Sequence, residues 1–176
     1  MGNVDVKSHP YKGASDACLY EAVTENDLES IQFLLESGVD PNAYNPDTDW
    51  DCPLWDLQYA PDDESDCETR YEIAKLFFKY GANPNIMLEG ETLFEHVTYK
   101  AYNEYEPGWQ FRYLLQFYKL LVLYGGGGHS YAKPEFSEPL NHERADEYTI
   151  VFRRCEDGYH IEGHLLNPEG KEIGVL

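Results

Sequence analysis

The sequence predicts a mainly α fold: a short helical solenoid with a small antiparallel β-sheet capping its C-terminal end. Three observations carry this prediction. Apolar residues recur at helical spacing in two stretches that end in near-identical closings, Gly38-Val39-Asp40-Pro41-Asn42 and Gly81-Ala82-Asn83-Pro84-Asn85. The closing glycines lie 43 residues apart, and Gly125 follows 44 residues after Gly81, a nearly fixed interval that marks a repeat. From Tyr148 onward the hydrophobic period drops to two, the signature of strands.

Residues 1–14 carry Pro10, Gly13 and few apolar side chains, and read as an N-terminal arm. A short helix is expected from Asp16, with Ala17, Leu19, Tyr20, Ala22 and Val23 on its apolar side. Thr24-Glu25-Asn26-Asp27 turns the chain into a second helix ending at Ser37, with Leu28, Ile31, Leu34 and Leu35 on one face. Glycine at the helix end takes the left-handed conformation without a Cβ clash, and the proline three residues later cannot continue the helix. Pro53 fits the first turn of the next inner helix. Residues 59–67 are an insertion, after which Thr69-Arg70-Tyr71-Glu72 has the spacing of a capping box and opens the next outer helix. A third pair follows, its inner helix running on through Tyr99, Lys100 and Tyr102. Its outer helix spans Gln110 to Tyr124 and buries Phe111, Leu114, Leu115, Tyr118, Leu121 and Val122. Residues 129–147 connect to three expected strands, 148–154, 159–166 and 171–176, separated by turns at Glu156-Asp157-Gly158 and Asn167-Pro168-Glu169-Gly170.

A helix closed by G-[AV]-[DN]-P-N at a repeating interval resembles the ankyrin repeat. Degraded copies of that family's opening motif lie at Asp51-Cys52-Pro53-Leu54-Trp55-Asp56-Leu57 and at Gly90-Glu91-Thr92-Leu93-Phe94-Glu95-His96-Val97. The resemblance covers roughly residues 15–125. The insertion at 59–67, and a second that extends the third inner helix into residues 103–108, account for an interval longer than the usual period of about 33 residues. The third closing departs further, because Gly126, Gly127 and Gly128 replace Asp-Pro-Asn. The expected organisation is an arm at 1–14, repeats at 15–128, a connector at 129–147 and a β-meander cap at 148–176.

Thirty-three acids against 13 bases give a formal net charge of -20, which disfavours direct binding to nucleic acid or an anionic membrane and attracts a basic partner. No apolar run approaches a bilayer span, and the first residues lack a secretory apolar core and a myristoylation pattern. Cys18, Cys52, Cys67 and Cys155 form no metal-like spacing and point to a reducing compartment, so a cytoplasmic location is expected.

The acids are unevenly placed. No lysine or arginine occurs from Gly13 through Thr69, a stretch holding 16 acids. Nine of these lie between Asp47 and Glu68, interleaved with Tyr44, Trp50, Trp55 and Tyr59. A run of acids is by itself a solubility feature. Aromatic anchors among them are what interfaces use, with charge steering the encounter. Asp47-Thr48-Asp49-Trp50-Asp51 opens like a calcium loop but fails at Cys52 and Gln58, where glycine and glutamate are needed. His160, Glu162 and His164 alternate along one expected strand and form a weak candidate zinc set. His160-Ile161-Glu162 also matches the H-x-E of zinc deaminases, whose P-C-x-x-C is absent. No G-x-S-x-G occurs, and the four glycines at 125–128 follow a helix instead of preceding one, so no phosphate cradle is expected. No cofactor is expected.

The resemblance implies a non-enzymatic protein-binding module working through finger tips and the inner-helix face. The matching positions are Tyr44, Asp47, Asp49, Trp50 and Asp51 on the first finger, and Met87, Leu88 and Glu89 on the second. Asp62, Asp63, Glu64 and Asp66, in the insertion, depart from the family and join the expected partner-binding set. An inhibitor occluding a basic surface suits these features, either a toxin immunity protein or a DNA-mimicking antagonist of a nucleic-acid enzyme. A general adaptor with incidental acidity, and a zinc enzyme using His160, Glu162 and His164, are the alternatives.

Overall fold

The computed structural model describes residues 16–44, 52–88, 90–103, 108–127, 134–156 and 161–176. About half of the described residues are helical, and a small three-stranded antiparallel sheet lies at the C-terminus, in agreement with ankyrin-like helices and a β cap. The chain divides into two compact units at Asn83/Pro84.

In the first unit, α1 (Asp16–Thr24) and α2 (Leu28–Glu36) form an antiparallel pair. Asn26 makes the reversal with a left-handed φ of 54°, which its short polar side chain tolerates. Asp27 then caps α2 by accepting from Ser30 N–H at 3.0 Å. Pro53 opens α3 (Pro53–Asp56), which packs against α1, while α4 (Cys67–Lys79) packs against α2. Leu19, Val23, Ile31, Leu34, Leu54, Leu57, Ile73 and Phe77 form the dry interior. The expected capping box at Thr69 is not there. The insertion ends in a 3-10 turn (Glu64–Asp66) capped by Asp63, and α4 begins two residues before Thr69, so Thr69 and Glu72 lie inside the helix.

In the second unit, β1 (Met87–Leu88) and β2 (Glu91–Thr92) pair antiparallel around Gly90, whose φ is 88°. They lead into α5 (Leu93–Asn103), which packs against α6 (Trp109–Leu123). A capping box that the sequence reading overlooked opens α5. Thr92 N–H donates to Glu95 Oε2 and Glu95 N–H donates to Thr92 Oγ1, both at 3.1 Å, and both residues are buried. The buried face of α6 also differs from expectation. Tyr118, Leu121 and Val122 are buried, but Phe111, Leu114 and Leu115 are only half-buried, while Tyr113, Phe117, Leu120 and Leu123 are fully covered. The reason is further cover beyond α5: a 3-10 segment (His142–Glu147) and the first strand of the C-terminal sheet also pack on α6.

That sheet has the order β3 (Thr149–Arg154), β4 (Ile161–Leu166), β5 (Glu172–Val175), all antiparallel, with Val151 opposite His164 and His164 opposite Val175. The Asn167–Gly170 turn holds the last reversal, Asn167 Oδ1 accepting from Lys171 N–H at 2.8 Å and Gly170 taking a φ of 77°. Tyr102 of α5 anchors the sheet. Its hydroxyl accepts from Gly163 N–H at 2.8 Å, donates to Leu176 O at 3.2 Å, and its ring meets Phe152 edge-on. A Cβ on Gly163 would fall 2.7 Å from that hydroxyl, which is why glycine stands there.

Candidate functional site

Three helices end in one device. Gly38, Gly81 and Gly125 take φ values of 92°, 93° and 90°. In each ending the glycine N–H and the next residue's N–H reach back to carbonyls three and five residues earlier: Leu35 and Leu34, Phe78 and Phe77, Val122 and Leu121. The asparagine that completes each G-x-x-P-N closing then clamps the next helix ending. Asn42 donates to Gly81 O at 3.2 Å and accepts from Asn83 N–H at 2.6 Å. Asn85 does the same one repeat later, donating to Gly125 O at 3.3 Å and accepting from Gly127 N–H at 2.7 Å. The third closing therefore tolerates its glycines, since the clamp uses only main-chain groups there. Gly126 is constrained more tightly than its neighbours, because a Cβ would lie 2.1 Å from Phe94 Cδ2.

The frame holds the candidate binding surface of the first unit. Tyr44 and Tyr59 are exposed, and Asp62, Asp63, Glu64 and Asp66 all face solvent along the insertion. Asp47, Asp49, Trp50 and Asp51, expected to extend this surface, lie outside the described residues. Trp55 is buried against the core and contributes nothing to the surface. Pro61 is buried too, pinning the insertion from beneath. Ser65 N–H and hydroxyl donate to the Asp63 carboxylate and hold it below the usual carboxylate range.

Arg70 fixes the insertion from inside. Only 5% exposed, its guanidinium donates to Tyr59 O and Asp56 O, to Asn26 Oδ1 and to Val23 O, and it pairs with Asp56 Oδ2 at 2.8 Å. The first cation after the base-free stretch is thus consumed within the fold and leaves the acidic surface uncompensated. The sequence held a signal for this role, because Arg70, Ile73, Ala74 and Phe77 share helical spacing and hence one buried face.

In the second unit, Met87 of the finger is 53% exposed, whereas Leu88 is 6% exposed and belongs to the core; Glu89 lies outside the described residues. Tyr99 on α5 is also exposed. Of the alternating set expected to share one face of this strand, only Glu162 and His164 fall within the described residues. His160 lies outside the described residues, Glu162 is exposed, and His164 is buried with Nδ1 3.0 Å from Glu172 Oε1 on β5. Arg153 on β3 pairs with the same Glu172 carboxylate at 2.6 Å, so the imidazole faces an ion pair linking three strands. Among the described residues no three His, Cys, Asp or Glu side chains converge in a way that could hold a metal ion. Nor is any helix among them long and apolar enough to cross a membrane.

Comparison with known families agrees with the repeat reading. The ankyrin repeat family model matches residues 16–46, which span α1, α2 and the first closing, and the C-terminal sheet is a region of a different kind. No curated protein matches the chain. Ankyrin repeats generally mediate binding to protein partners, and that coarse role fits the exposed surface described above.

Proposed function

We propose that the chain is a non-enzymatic protein-binding module whose acidic surface occludes a basic surface of a protein partner, as a toxin immunity protein or a DNA-mimicking inhibitor of a nucleic-acid enzyme does. The observation that carries this reading is Tyr59, 47% exposed beside the exposed Asp62, Asp63, Glu64 and Asp66, in a stretch with no surface cation. Uncompensated charge raises the on-rate for a basic partner, and an amphipathic aromatic ring supplies contact area at little entropic cost. Arg70 and the Asp63 cap hold the insertion in one conformation before binding, which lowers the ordering cost of complex formation. Partner contacts on the first finger are assigned to Tyr44, Asp47, Asp49, Trp50 and Asp51, and those on the second to Met87 and Glu89.

The exposed Met87 and Tyr99 of the second unit favour a second reading, an adaptor that binds through apolar contacts while its acidity serves only solubility. Affinity capture from the cells that make the protein separates the two. The native chain and a variant carrying Asp62→Asn, Asp63→Asn, Glu64→Gln and Asp66→Asn are compared, alongside a Met87→Ala/Tyr99→Ala variant. Loss of a basic partner with the charge variant alone supports occlusion of a basic surface. Loss with Met87→Ala/Tyr99→Ala alone overturns it in favour of the adaptor.

A further inference from the structure

We draw no further inference here: the strongest candidate, the outer edge of β3 (Thr149–Arg154) in the C-terminal sheet, has no strand beside it among the described residues, and nothing in the structure shows what covers it.

Discussion

Replacing Arg70 tests how the insertion is held. Arg70→Ala removes a guanidinium that satisfies three main-chain carbonyls, the Asn26 amide oxygen and the Asp56 carboxylate. The Asp56 side chain is only 29% exposed, so it would be left as a largely buried charge without its cation. Removing one member of such a pair costs about 3–5 kcal/mol, and each abandoned buried acceptor that water cannot reach adds to that loss. Water entering beside Asp56 offsets part, which places the expected loss near the lower end, about 3 kcal/mol. Arg70→Lys keeps the charge, but three donors on a point-like ammonium cannot serve acceptors spread over Val23, Asn26, Asp56 and Tyr59. It should recover less than half of the loss, leaving about 2 kcal/mol. Urea unfolding of the full chain measures these costs, with hydrogen exchange at residues 59–66 reporting local opening. Arg70→Ala and Asp56→Asn should be non-additive by about 1 kcal/mol or more. A stability loss below about 0.5 kcal/mol for Arg70→Ala, the range of ordinary surface changes, would refute the clamp.

Other perturbations follow from equally local geometry. Asn85→Ala removes two hydrogen bonds to the closing after α6 and should cost about 1–2 kcal/mol, with faster exchange of the Gly127 amide. Gly126→Ala drives a methyl into Phe94 and should cost about 1–3 kcal/mol or more. Gly38→Ala meets open space and pays only for its left-handed backbone, about 1 kcal/mol, so a thermal melt should rank the two glycines in that order. The pH dependence of the C-terminal sheet has a definite sign. Glu172, held down by His164 and Arg153, and Glu138, held down by Asn167, both titrate below the ordinary glutamate value when folded. Their contribution is therefore complete above a pH of about 4.5 and is lost as pH falls through the lowered folded values. Circular dichroism in an acid titration should show the Glu172→Gln variant losing less stability over that window than the native chain.

Much of the helical frame was legible because its signals are local. Each G-x-x-P-N closing announces a left-handed glycine and a stop, and the helices end where those residues stand. The strand order and the Asn167–Gly170 turn were readable for the same reason. What escaped the sequence are features set by distant partners. The face of α6 was assigned from one stripe, yet the 3-10 segment and β3 add cover that no periodicity within α6 could reveal. Thr69-x-x-Glu72 had capping spacing, but Asp63 and a 3-10 turn began the helix earlier, and the genuine reciprocal box lay unnoticed at Thr92 and Glu95. Arg70 looked like a member of that false cap and proved to be a buried hub. Leu88 was grouped with its finger, although alternation along a strand sends it to the opposite side from Met87. The partner of His164 was equally out of reach, because strand pairing sets Glu172 of β5 beside its imidazole, and Arg153 of β3 pairs with that same carboxylate.

The most direct test of electrostatic occlusion is the salt dependence of affinity for the captured partner, measured by calorimetry on the full chain. If uncompensated acids at Asp62, Asp63, Glu64 and Asp66 drive association, raising salt from roughly 50 to 200 mM should weaken binding by about tenfold or more, as screening shortens the reach of surface charge. The variant with those four acids neutralised should show a shallower slope. An affinity unchanged by salt and by those substitutions would contradict the proposal and move the binding surface to the apolar positions around Met87 and Tyr99.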